Sequence, residues 1–403
     1  MTTPIPLPGD VGRAAAARAG LLVELRRALH RIPEPGYREE RTTGFVEAFL
    51  RDRGLSFERF PGGTGGVAVW GEGARAVLLR ADLDALRIDE ATGLSFASEH
   101  PGLMHACGHD AHAAMLLAAA DCLASGEVEL PGRAVLVFQP AEEGGGGGRR
   151  MLEDGLLERH PVDGALALHV WPGLPTGTVG VSPGPVMASM DRIRLVFRGR
   201  GGHGALPHLT VDPVVMAAEA VLGLQTLVSR GIDPLEPAVL TVGAIRAGTA
   251  ENIVPDEAEL LATVRAFDPA VREKLLAGVE RVGRGVAAAH GGGFEVERGE
   301  GYPVTRNDPA ATGRVREALA ALLGEEAVRP AQRTMGAEDM GFVLERVPGC
   351  YLQLGAAADP SRAEPLHSPR FDLDEGCLPV GTAALLAAAR ALLEPGAPEN
   401  PSG

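Results

Sequence analysis

With 403 residues the chain exceeds the length at which a single hydrophobic core usually stops growing, so two domains are expected, and a hydrophobic content of 45% is enough to fill both. A formal charge of −15 repels phosphate backbones, and no Lys/Arg stripe offsets it locally, which excludes nucleic acid as a partner. Four cysteines, Cys107, Cys122, Cys350 and Cys377, are too sparse for a disulfide-stapled secreted scaffold. The N-terminus carries Pro4, Pro6, Pro8 and Gly9 where a signal peptide needs a basic start and an apolar stretch, and no long uninterrupted apolar run occurs, so a soluble, cytoplasmic protein with no membrane contact is expected.

In chain order, the tips 1–10 and 395–403 are rich in proline, glycine and small polar residues and are expected to fray. A helix is predicted over 11–30. Three β-type runs follow, each leading at once to residues of ligand type: 76–79 before Asp82 and Asp84, 134–138 before Glu142 and Glu143, and 164–168 before His169. In open α/β sheets functional groups gather beyond the carboxyl ends of the strands, so these three pairs predict one shared site. A fourth run, 350–354, leads through a loop to His367. Helices predicted over 109–124, 149–157, 309–323 and 379–393 alternate with these runs, the order of an α/β layer sandwich.

The stretch between reads differently. A strand at 192–198, a helix capped by Asp212 with Pro213 in its first turn, strands at 238–244 and 257–266, a helix at 269–290 and a last strand near Phe294 give the order of a ferredoxin-like unit. It is entered through a hinge-like Ser182-Pro-Gly-Pro, and the first layer resumes near Gly301.

Residues 104–112, Met-His-Ala-Cys-Gly-His-Asp-Ala-His, concentrate three histidines, a cysteine and an aspartate. A lone buried histidine is ordinarily a hydrogen-bonded core residue, but thiolate and imidazole two residues apart match the mixed ligand sets of zinc and its neighbours. A helix beginning at His109 puts Cys107 and His109 at its positive end, which favours thiolate. Glu142 and Glu143 are neighbours on extended backbone and point to opposite sides, so one can bind metal while the other faces the substrate's water. The bland alternative is a solvated acidic turn. Gln139-Pro140 before the pair and Gly144–Gly148 after it make a tight corner instead. That glycine run lacks the Gly-Lys-Ser/Thr of a phosphate loop and reads as a flexible turn. Gly199, Gly201 and Gly204 fit the dinucleotide spacing, yet Pro207 and Pro213 interrupt where its helix should run, so an oxidoreductase is rejected. Asp82 and Asp84 are expected outside the direct ligand set, holding a ligand histidine's second nitrogen. Cys122, Cys350 and Cys377 stand in apolar contexts and read as core.

Read together, Leu29-His-Arg-Ile-Pro-Glu-Pro-Gly36, Arg80-Ala-Asp-Leu-Asp-Ala-Leu86, His105-Ala-Cys-Gly-His-Asp-Ala-His112, Gln139-Pro-Ala-Glu-Glu-Gly144, Leu168-His-Val-Trp-Pro172, Gly201-Gly-His-Gly204, Asn252-Ile-Val-Pro255, Met335-Gly-Ala-Glu-Asp-Met340 and Leu366-His-Ser368 resemble, in order and over nearly the whole chain, the metal-dependent amidohydrolases. That group includes hippurate hydrolase, the bacterial N-acyl-amino-acid amidohydrolases and the plant auxin-conjugate hydrolases, within the wider aminoacylase and carboxypeptidase group.

The resemblance implies a three-layer α/β catalytic domain with a mixed sheet, 1–186 and 299–403, and an inserted ferredoxin-like α+β lid and dimerisation domain, 187–298. It implies that Cys107, His109, Glu143, His169 and His367 hold two divalent ions, zinc or manganese, with cobalt or nickel admitted by the donor types. Glu142 becomes the general base, His203 reaches the scissile carbonyl from the lid, and Asn252 and Arg265 hold the substrate's carboxylate. The expected reaction is cleavage of the amide bond of small N-acyl amino acids by a homodimer or higher homo-oligomer paired through the lid. A dipeptidase or carboxypeptidase with the same metal centre is the alternative. A catalytically silent binding protein is disfavoured because no ligand or base position is missing.

Overall fold

The computed structural model describes residues 5–395, which fall into two compact units. The first takes in the described residues up to Val186, then Arg306–Gln332 and the residues from Asp339 onward; the second takes in Met187–Thr305 and Arg333–Glu338.

Aliphatic runs with little charge to expose build the middle of the first unit's sheet. Every residue of Ala76–Asp82 and of Gly349–Ala357 is buried, the pattern of strands covered on both faces. Ala76–Asp82 lies parallel between Arg133–Gln139 and Gly164–Pro175, and Gly349–Ala357 runs parallel on the far side of Gly164–Pro175. Gly66–Trp70 and Phe57–Arg59 extend one edge antiparallel, while Val179–Gly180 and Val328–Arg329 close the other, which makes a mixed sheet of eight strands. The register aligns the ends that matter: Asp82 pairs with Gln139, and Arg80 with Ala167. The helices His109–Ala124 and Cys377–Leu393 are apolar almost all round and pack into the core beside these strands.

Four local expectations change. The helix predicted over 11–30 is two helices, Gly9–Ala17 and Ala19–His30, interrupted at Arg18, whose guanidinium reaches Asp121 at 2.6 Å and Glu127 at 3.0 Å. Leu7 is buried and Ile5 packs against the core, so fraying does not extend over 5–10; Met1–Pro4 and the rest of the C-terminal tip lie outside the described residues. The strand expected to stop at Leu168 continues to Pro175, so His169 is part of it. The glycine run is no free turn, because Gly147 opens the helix Gly147–Glu153.

In the second unit one strand alternates strictly. In Glu257–Ala266 the even-numbered residues Ala258, Leu260, Ala262 and Val264 are buried, while Glu257, Glu259, Leu261, Thr263 and Arg265 are not. Ala238–Ala247, Glu257–Ala266, Ser189–Arg198 and Gly293–Arg298 form an antiparallel sheet in that order, with Pro213–Ser229 and Pro269–His290 packed on its apolar face. This is the βαββαβ succession expected from sequence. Among the described residues no helix is long and apolar enough to cross a membrane, and all four cysteines are free and buried.

Three of the long helices start on one recipe, an aspartate before a proline. Asp212 accepts from Val214 N at 2.8 Å, Asp268 from Ala270 N and Val271 N at 2.7 and 3.0 Å, and Asp308 from Ala311 N at 2.8 Å. Asp268→Ala should therefore lower stability by about 1 kcal/mol, since two end amides lose their acceptor. Urea unfolding read by circular dichroism checks this; an unshifted midpoint would mean that water caps this helix equally well.

Candidate metal centre

The first unit converges its ligand-type residues at the carboxyl ends of the parallel strands. Gly108 is the turning point. Its φ of 83° is one that glycine adopts without strain, and a Cβ there would meet Val170 Cγ2 at 2.4 Å. The chain passes close to the strand bearing His169 and then enters the His109–Ala124 helix, so Cys107 and His109 flank the turn. The ligand atoms of Cys107, His109 and His169 lie within 4.8 Å of one another. Those of Cys107, Glu143 and His367 do so too, and so do those of His109, Glu142 and Glu143. Cys107 Sγ is 3.4 Å from His169 Nε2, and His367 Nε2 is 3.1 Å from Glu143 Oε1. All five residues expected to hold metal are thus gathered, with the expected base among them.

Hydrogen bonds fix which nitrogens face the cluster. His109 Nδ1 donates to the Asp84 carbonyl at 2.8 Å and His169 Nδ1 to the Val170 carbonyl at 2.7 Å, which leaves each Nε2 as a lone-pair donor. His109 Nε2 is fully buried with no hydrogen-bond partner, the closest acidic oxygen being Asp82 Oδ2 at 3.7 Å. An unpartnered buried nitrogen beside a thiol and carboxylates suits a divalent cation, which repairs its desolvation. The protonation balance agrees. Burial, then Glu143 and Glu142, drive the Cys107 thiol well above its ordinary pKa, and burial, then His112, drive His169 well below its own. Burial would lower His109 too, but the carboxylates of Asp82 and Asp84 push it up to about 10. The helix end is therefore insufficient to make the thiolate that the sequence predicts, because burial and then the surrounding carboxylates oppose it; a cation at the same place would invert that preference.

Asp82 and Asp84 divide their work differently from the expectation. Asp84 does face His109, with Oδ1 3.3 Å from Nδ1, but its carboxylate mainly accepts the main-chain N–H groups of Glu142 and Glu143 at 3.0 and 2.9 Å. Asp82 does not hold the second nitrogen of a ligand histidine. Its Oδ1 takes His112 Nδ1 at 2.6 Å, and His112 Nε2 accepts from Val170 N at 2.9 Å, so both nitrogens of His112 are committed to the frame. The Val170 peptide is thus gripped at both ends, its N–H by His112 and its carbonyl by His169.

Sequence reading passed over the frame beneath. Arg80 donates to Asp82 at 2.7 Å, to Gln139 at 2.8 Å and to Asp339 at 2.9 Å, and Asp339 also accepts from Gln139 and from Gly148 N. The spacing of Arg80 and Asp82, two apart on one strand face, was the available signal. Behind the helix start, buried Arg26 binds Asp110, Asp372 and Glu375, and His30 binds Asp110 at 2.7 Å and Glu90 at 3.3 Å. Burial works against charge on His30, but Asp110 outweighs it and lifts the imidazole to about 9.

The expected lid residues lie in the second unit. His203 pairs with Ile253 across a short ribbon, and Gly204 N donates to the Asn252 carbonyl at 2.8 Å, so His203 and Asn252 are neighbours. Arg265 is near the finish of Glu257–Ala266, where it donates to the Met335 carbonyl at 2.9 Å, whereas Asn252 precedes the start of that strand. Eight residue steps from Glu257 to Arg265, at about 3.3 Å each, give this part of the strand a length of roughly 26 Å. Asn252, beside the ribbon that leads into the strand, and Arg265, near its finish, thus flank different ends of it.

Residues 78–391 match the model of peptidase family M20/M25/M40. The chain is 40% identical over 375 residues to the N-acetyl-L-cysteine deacetylase of Bacillus subtilis (strain 168), covering 93% of this chain and 88% of that protein. It is 35% identical over 370 residues to thermostable carboxypeptidase 1 of Saccharolobus solfataricus, covering 90% and 93%. Among solved structures, the Bacillus subtilis YXEP protein, described as a dinuclear metal binding peptidase from the M20 family, superposes with a TM-score of 0.81 at 34% identity, covering 94% of this chain and 99% of that one. The chain belongs to peptidase family M20/M25/M40 and is a metal-dependent hydrolase.

Proposed function

We propose that this protein cleaves the amide bond of N-acyl amino acids, with Cys107, His109, His169, Glu143 and His367 holding two divalent ions and Glu142 serving as general base. The observation that carries the reading is a pair of donor triads sharing Cys107, with the buried Glu142 carboxylate beside them. Thiolate and imidazole favour zinc; carboxylate and imidazole equally suit manganese. When bound, the ions supply Lewis acidity, polarising the amide carbonyl and making water acidic near neutral pH. Glu142 takes the proton of the attacking water and returns it to the leaving nitrogen. The Asp84 carboxylate holds the Glu142 amide so that this side chain need not search for its position. A carboxypeptidase or dipeptidase activity uses the same groups on a peptide, and the resemblance to the Saccharolobus carboxypeptidase keeps it as the second reading.

The second unit acts as a lid in this reading. His203 Nδ1 accepts from Ala205 N at 3.0 Å, which puts the ring proton on Nε2, the form that can donate to an oxyanion. Arg265 suits a carboxylate that an N-acyl amino acid leaves free. His203 lies on the ribbon that follows Arg198, while Arg265 pairs with Met190 at the other end of the same strand, and a homodimer would present both to one substrate. Exposed Val214, Val215 and Leu222 on Pro213–Ser229 and Ile245 on the edge strand Ala238–Ala247 are the apolar surface such a pairing would cover. The cytoplasm is the compartment in which its four free, buried cysteines stay reduced.

Two experiments test the reading. Glu142→Gln preserves size but accepts no proton, so kcat on hippurate or N-acetyl-L-cysteine should fall by about 100- to 10,000-fold with metal content unchanged. Glu143→Gln should instead lose metal, read by elemental analysis of protein purified without chelator. Equal metal loss in both, with turnover kept in Glu142→Gln, would reverse the division of labour. For the lid, hippurate should be hydrolysed with a higher kcat/KM than its methyl ester, and Arg265→Ala should erase that preference. Equal rates on acid and ester in the native protein would remove the carboxylate clamp.

A further inference from the structure

The corner that carries Glu142 and Glu143 has three successive main-chain N–H groups, and two carboxylates take all of them. Asp84 accepts from Glu142 and Glu143, and Glu39 Oε1 accepts from Ala141 N at 2.8 Å. Ala141 has a φ of 54°, in the left-handed region that residues with a Cβ seldom occupy, so the corner keeps its shape only because its surroundings hold it.

Glu39 stands where a different bond is usual. It is the N-cap residue of the helix Glu40–Arg51, yet its side chain makes no bond to that helix. Glu34 takes the helix's end amides instead, accepting from Arg41 N at 3.2 Å and Thr42 N at 2.9 Å. The Glu39 carboxyl is fully buried, and its Oε2 has no hydrogen-bond partner. The chain just before it closes on the same corner. A Cβ on Gly36 would lie 3.0 Å from Ala141, and the Tyr37 hydroxyl donates to the Gly145 carbonyl at 2.8 Å. A buried carboxyl group is costly unless its lone pairs are met, and here Oε1 is turned to the amide that sets the corner.

We propose that Glu39 is a positioning residue: by holding the Ala141 amide, it sets the direction in which Glu142 and Glu143 leave the main chain. The proposal rests on the reading of Glu142 as base and Glu143 as ligand. Burial, then the Asp84 carboxylate, push Glu39 up to about 7, so a neutral amide is a close copy of it near neutral pH.

Three variants of the full chain, loaded with manganese and assayed on hippurate and N-acetyl-L-cysteine, test this. Glu39→Gln keeps an acceptor for the Ala141 amide, Glu39→Met keeps the volume without the acceptor, and Glu39→Ala removes both. Glu39→Gln should stay within about threefold of the parent kcat, while Met and Ala should lose about 10- to 100-fold with KM changed far less, as expected when a base is displaced by about an ångström. Manganese affinity, read by competition with a chelating dye, should fall in the Met and Ala variants and hold in Gln, because Glu143 shares the corner. Thermal melts identify a variant that fails to fold, and if Ala does, the size-matched Gln and Met pair decides. Equal kcat and equal metal affinity in Gln and Met, whether both native or both impaired, would overturn the proposal. Glu142→Gln measured alongside separates the two ideas. If it keeps turnover the base assignment fails, and the metal-affinity contrast still decides Glu39. If it is inactive while Gln and Met at position 39 match, only the role of Glu39 falls.

Discussion

Arg80 is bonded into the middle of the buried acidic frame, and the geometry above it depends on that. Its guanidinium joins Asp82 on its own strand, Gln139 at the end of the neighbouring strand and Asp339 from far along the chain. Each of these groups is almost wholly buried, and a buried carboxylate persists only where its charge is met and its lone pairs are filled. The planar fork of arginine does this for several partners at once, as a lysine would not. From that anchor the order propagates outward: Asp82 orients His112, His112 holds the Val170 amide, and the Val170 carbonyl sets the tautomer of His169.

The same logic explains why the cluster above the frame is built for cations. Glu142, Glu143, Asp84 and the Cys107 thiol crowd a space whose own positive charge comes from histidines, so the protein alone resolves the excess by holding the thiol protonated and His109 charged. A pair of divalent ions held by these residues, as proposed, would replace that arrangement with ligand bonds, and their binding would release protons and add to stability at once. The Arg26, His30 and Asp110 network does for the start of the His109 helix what Arg80 does for the strands, pinning the first turn from behind.

In the second unit charge plays a lighter part. Its open sheet face carries cross-strand pairs such as Arg198 with Glu257 and Glu295, which lie in water, where screening leaves them little weight. Its stability comes from the alternating apolar face against two helices, and its outer residues are free to serve recognition.

The parallel strands of the first unit with several of their helices, the βαββαβ order of the second, the Asp212 cap and, through the family resemblance, the gathering of Cys107, His109, Glu143, His169 and His367 were legible in the chain itself. Periodicity of two or 3.6 residues and short ligand spacings are local properties, and strands that run parallel must bring their carboxyl ends together. Other features were not legible. Arg18 breaks a helix because Asp121 and Glu127 lie a hundred residues on, and Glu39 abandons its own helix for an amide at position 141. Asn252 and Arg265 look close along the chain, yet a straight strand holds them apart. Such outcomes depend on which distant groups burial leaves without a partner, and only the folded chain decides that, because the cost of an unmet charge or hydrogen bond appears once water has been excluded.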